Sequence, residues 1–75
     1  FAKVQPGMMM EEVRKMLGKP ARITPFERQG EVAYDWRYLE PPNTHMVFTV
    51  FFDRDYRVLR TGSVVDPEQS SGGSR

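Results

Sequence analysis

Seventy-five residues, no cysteine, and eleven basic side chains against ten acidic ones describe a single small domain. This composition excludes a disulfide framework, a zinc finger and a thiol nucleophile. The formal net charge of +1 encodes no strong attraction to nucleic acid. Leu, Ile, Val and Phe contribute 17 residues, just above the level typical of disorder, and nine aromatics add core volume. No apolar run approaches the roughly 18 residues of a membrane span. With no signal peptide visible and Phe1 at its start, the chain is expected to be processed or excised from a longer protein.

Gln5-Pro6-Gly7 is a turn, with Pro fixing φ. Beyond it, Met9, Met10, Val13, Met16 and Leu17 fall on one arc of a helical wheel, with Glu11, Glu12, Arg14 and Lys15 opposite. Acids precede bases, as the helix dipole favours, and Glu11 with Lys15 forms an i,i+4 pair. Gly18 ends the helix and Pro20 prevents its continuation, so a helix is predicted over 9–17. Residues 19–30 hold two prolines and no sustained period, and read as an extended connection with Ile23 and Phe26 tucked against the domain.

Three strands follow. Residues 31–39 alternate, with Val32, Tyr34, Trp36 and Tyr38 on one face and Ala33, Asp35 and Arg37 on the other. Pro41-Pro42-Asn43 breaks that strand. Residues 46–52 are apolar on both faces apart from Thr49, as in a central strand. Asp53-Arg54-Asp55 makes a hairpin connection to a strand over 56–65, with Gly62 marking a bulge or bend. The composition turns polar at Asp66, and 67–75 is expected to be a disordered tail after a domain of residues 1–66. The fold class is α+β, a short N-terminal helix packed on a three-stranded antiparallel β-meander.

No catalytic constellation is present. His45 stands alone, so it reads as an exposed strand-end histidine rather than a metal ligand. Asp53 and Asp55 suit turn geometry and offer too few oxygens for calcium. Glu11 and Glu12 point apart on their helix and cannot share a substrate. The Met8-Met9-Met10 run fits core filling better than a soft-metal site. Tyr34, Trp36 and Tyr38 lack the basic field of a nucleic-acid stacking platform. No enzyme activity, cofactor, metal or nucleic acid is expected. One helix nevertheless covers only part of one sheet face, while the central strand is apolar on both. Uncovered apolar area of this kind marks an interaction site.

The string Pro6-Gly7-Met8, then Val13, then Leu17-Gly18-Lys19-Pro20, resembles the G-M-T-x-x-x-V-x-x-x-L-G-x-P signature of the SmpA/OmlA (BamE-like) outer-membrane lipoprotein domain family. Trp36-Arg37-Tyr38 is similar to that family's W-x-Y strand, and Phe52-Asp53 followed by Val58 to its F-[DN]-x-x-G-x-V hairpin. The signature threonine is Met9 here, which removes a capping acceptor worth about 1 kcal/mol. The hairpin glycine is Tyr56, so Asp55 or another residue is expected to absorb the turn strain.

The resemblance implies a non-enzymatic accessory or scaffold domain of the β-barrel assembly machinery, at the periplasmic face of the outer membrane. Its implied partners are a BamD-like lipoprotein subunit and phosphatidylglycerol. The alternatives are an envelope-stress, osmotically inducible lipoprotein and a β-lactamase-inhibitor-like module. Phe26, Arg37 and Ile23 are the candidate partner-binding residues, because they lie where cover over the sheet runs out and aromatic and arginine side chains anchor interfaces. Trp36 and Tyr38 are expected to be structural.

Overall fold

The computed structural model describes residues 3–66. In chain order these form α1 (Met10–Leu17), β1 (Arg22–Phe26), β2 (Glu31–Glu40), β3 (Thr44–Phe52) and β4 (Val58–Val65). The strands make one antiparallel sheet in sequence order, β1-β2-β3-β4. The α+β class holds, with four strands in place of the expected three.

The additional strand is β1, inside the segment expected to be an extended connection. Ile23 pairs with Tyr34 and Pro25 with Val32. Pro25 has no N–H, but β1 lies at the sheet edge and pairs on one side only, where a missing donor is tolerated. Between β1 and β2, the Gln29 N–H donates to the Phe26 carbonyl at 3.1 Å and Gly30 takes φ 68°, a conformation natural to glycine. Residues 19–30 therefore widen the sheet rather than cover it.

Helix α1 begins one residue later than expected. Met9 sits extended at the N-cap, and the Glu12 carboxylate accepts its N–H at 3.1 Å. That bond is the return half of a capping box, and it offsets the missing threonine. At the other end Gly18, at φ 82°, donates its N–H to the Arg14 carbonyl at 2.8 Å.

The helix start is tied to the start of β4. Gly7 N–H donates to the Val58 carbonyl, Val58 N–H to Met8, and Met10 N–H to Tyr56, each at 2.8 Å. This tether presses Val13 fully into the core and leaves Met10 and Leu17 half-buried beside it. Met9 and Met16, expected on the same buried arc, are exposed. The short helix meets the sheet along one line, so the margins of its arc stay outside.

The core face carries Tyr34 and Trp36 from β2, Phe48, Val50 and Phe52 from β3, and Val58 from β4, closed by Val4 and Val13. Tyr34 meets Phe52 edge-on at 5.2 Å. The Trp36 indole N–H donates to the Gly18 carbonyl at 3.1 Å, satisfying the buried polar atom and fastening the end of α1 to β2.

Two expectations about the last strand need correction. Gly62 is neither bulge nor bend, since it pairs in register with Thr49. The irregularity lies where Phe51 opposes Arg60 and Phe52 opposes Val58, which makes Leu59 the extra residue. The turn strain falls on Tyr56 itself, at φ 61°, and not on Asp55. Asp53 serves the turn, its carboxylate accepting the N–H groups of Asp55 at 2.8 Å and Arg57 at 3.1 Å. The expected disordered tail, 67–75, lies outside the described residues. No described helix is long and apolar enough to cross a membrane.

Candidate interaction face

Strand alternation sends half of the sheet's side chains away from α1. The pairing places Asp35 and Arg37 of β2 beside Thr49 and Val47 of β3, with Gly62 and Val64 of β4 next to those. The helix lies against the other face, through Val13. Polar links cross this open face. Thr49 donates its hydroxyl hydrogen to the Asp35 carboxylate at 2.6 Å. Arg37 reaches Asp66 at 3.4 Å, with the arginine side chain 49% exposed and the aspartate side chain 3%. Together these residues border a shallow concavity of about 230 Å³ whose walls include Ala21, Val47 and Val64.

At the opposite end of the face the Phe26 ring meets Phe51 at 6.2 Å between centroids. The Arg60 guanidinium lies 4.2 Å from the centre of the Phe51 ring and bonds the Glu31 carboxylate at 3.0 Å. The cation thus caps the aromatic pair while its charge is matched.

Of the residues singled out from sequence, Phe26 and Arg37 share this open face, opposite buried Trp36 and half-buried Tyr38. Arg37 lies six positions along β2 from Glu31, the residue beside Phe26, roughly 20 Å away, so the two mark opposite ends of the face. Ile23 does not join them. It pairs with Tyr34 on the helix side, 54% exposed at the sheet edge. The signature residues Val13, Trp36 and Phe52 are buried, and Gly7, Met8 and Gly18 make the backbone contacts that hold α1.

Sequence reasoning missed Asp66, the only polar residue among the described ones to be buried, at 2% exposure. Its N–H donates to the His45 carbonyl at 2.9 Å, so it extends the folded part beyond the last strand. A single aspartate where the composition turns polar carries no sequence signal of burial, and its partner Arg37 is far away in the chain. His45 is exposed.

Comparison with known proteins gives one family and one solved fold. Residues 1–62 match the model of the outer membrane protein assembly factor BamE domain. A solved structure described as a putative osmotically inducible lipoprotein, OsmE, superposes with a TM-score of 0.73 at 21% identity, covering 89% of this chain and 76% of that one. At that identity the likeness establishes the fold. No curated protein sequence matches significantly. BamE domains are non-enzymatic accessory domains associated with outer-membrane protein assembly. The family match spans nearly all of the described fold, and the chain belongs to the BamE domain family.

Proposed function

We propose that this domain is a non-enzymatic accessory subunit of the β-barrel assembly machinery at the periplasmic face of the outer membrane, docking other subunits through the open face of its sheet. The observation that carries the reading is that face itself. It combines apolar area at Phe26, Phe51, Val47 and Val64 with charges already paired inside the chain. Paired charges make it tolerant of water and still cheap to desolvate against a protein, the balance found in non-obligate interfaces. Phe26 and Arg37 anchor its two ends. A BamD-like lipoprotein is the proposed protein partner, and anionic phosphatidylglycerol headgroups are the proposed lipid contact of Arg37, whose side chain is half-exposed.

The test uses a variant that leaves no buried carboxylate without its arginine: Phe26→Ser, Arg37→Gln and Asp66→Asn together. Binding to purified assembly complex should fall at least about tenfold, equivalent to about 1.4 kcal/mol, with an unchanged circular dichroism spectrum. Vesicles with and without phosphatidylglycerol form a separate arm. Full binding of the complex by the folded variant excludes this face. The OsmE likeness supports a second reading, an envelope-stress lipoprotein built on the same fold. That reading requires a domain that binds no assembly subunit at all.

A further inference from the structure

The sheet has two edges, and they differ. β1 is five residues long, carries Pro25 and begins with Arg22, features that discourage another strand from pairing. β4 is eight residues, Val-Leu-Arg-Thr-Gly-Ser-Val-Val, with no proline, lysine or acidic residue. Beyond Val58 all of it is exposed, Val64 at 58% and Val65 at 48%. The start of this edge already accepts strand-like pairing, because Met9 bridges Arg57 in antiparallel fashion and Gly7 and Met8 bond Val58. Helix α1 then leads the chain away. Among the described residues, nothing pairs with the outer edge of 59–65.

We infer that this edge pairs with the same edge of a second copy, two β4 strands running antiparallel about a two-fold axis at Ser63 to make one continuous eight-stranded sheet. Three features select the second copy and this register. Directly opposed residues of an antiparallel pair share a face, so a two-fold axis normal to the sheet joins residues whose numbers differ by an even amount. With Ser63 on the axis, Thr61 meets the partner's Val65 on the helix side, and Gly62 meets the partner's Val64 on the open side. Gly62 has no reason within its own chain to be glycine: it is in regular register, has no positive φ, and a Cβ there would meet nothing within 4 Å. Glycine within a strand marks close approach by another backbone or ligand, and the partner's exposed Val64 fills that space. The charges agree as well. Arg60, the one charged residue of β4, is carried opposite position 66 of the partner, so the two arginines stand roughly 20 Å apart. A register centred on residue 60 would oppose them directly.

A single strand pair is smaller than the roughly 1,200–2,000 Å² of a standard interface, so the dimer is weak and concentration-dependent. The absence of cysteine makes a cross-linking test clean. In the full 75-residue chain, Ser63→Cys places two thiols directly opposite, at Cα separations of about 4.5–5.5 Å, within disulfide range. Thr61→Cys keeps its two thiols roughly 13 Å apart and serves as the matched control. Mild oxidation should yield a covalent dimer from Ser63→Cys and not from Thr61→Cys. In sedimentation, Val64→Lys, which sets a cation diagonal to the partner's Arg60, should raise the dissociation constant at least about tenfold. Equal cross-linking of the two cysteine variants, a monomeric chain up to about 1 mM, or self-association indifferent to Val64→Lys would overturn the proposal.

Discussion

Val13 is the only fully buried side chain of α1, so its truncation measures what holds the helix to the sheet. Val13→Ala removes two methyl groups, about 1.6 kcal/mol of transfer free energy at about 0.8 kcal/mol per group. The site lies between α1 and the strands carrying Trp36, Phe48 and Val50, and incomplete collapse there adds up to about 1 kcal/mol for the cavity. Alanine is the better helix former by about 0.5 kcal/mol, which offsets part of the loss. The net expectation is about 2 kcal/mol, a fall in Tm of roughly 8–16 °C for a domain of this size. Thermal melts followed by far-ultraviolet circular dichroism give that number. Trp36 fluorescence reports separately on docking, because its indole N–H bonds the Gly18 carbonyl at the end of α1. Met16→Ala, at a side chain 44% exposed, is the control and should move the melt by little. A Val13→Ala midpoint within about 2 °C of the parent would show that α1 contributes nothing through this contact, and the account of the core would fail.

Other outcomes follow from the same geometry. Tyr56→Gly should stabilise the domain by about 0.5–1 kcal/mol, since an L residue at φ 61° carries about 1–2 kcal/mol of strain and the lost ring is 58% exposed; a lower Tm would refute this. Trp36→Phe should cost about 1–2 kcal/mol in urea unfolding by leaving the Gly18 carbonyl without its indole donor, and an unchanged midpoint would show that water replaces it. Leu17→Ala should cost about 1–2 kcal/mol, below the range for a fully buried leucine, because Leu17 only flanks the core; a loss above about 4 kcal/mol would place it inside.

The helix and β2 are legible in the sequence because each carries a clear period, and β3 and β4 because an apolar run and the Asp53-Arg54-Asp55 turn mark them. The 3.6-residue spacing of Met10, Val13 and Leu17, and the alternation of Val32, Tyr34, Trp36 and Tyr38, mark the buried faces directly. β1 was hidden by Pro25, which speaks against a strand everywhere except at an edge, and edge position is a property of the assembled sheet. Gly62 invited the opposite error, since glycine in a strand signals a bulge, yet the bulge formed at Leu59 one turn of pairing away. The open face was foreseeable from β3, apolar on both sides over a domain with one short helix. Its chemistry was not, because the Arg37–Asp66, Arg60–Glu31 and Thr49–Asp35 links join residues 14 to 29 positions apart. Only the strand register brings them together.

Those links explain how a four-stranded sheet persists with a helix on one side alone. Antiparallel sheets tolerate water on one face when that face is polar. Here the open face also carries apolar side chains, and matched polar pairs flank them at its two ends. Arg60 stacks on Phe51 while bonding Glu31, and Asp66 closes the other end beneath Arg37. Asp66 is the buried member of these links. Neutralising it alone as Asp66→Ala removes one partner of an arginine whose side chain is 49% exposed to water, so the cost should be about 1 kcal/mol. Removing the arginine alone as Arg37→Ala takes a charge partner from a carboxylate whose side chain is 3% exposed, and should cost more than the reverse change. The inequality is the test, because a simple surface ion pair would lose the same amount from either side. Equal losses in matched urea titrations would show that Asp66 is solvated in solution and that the open face extends over it.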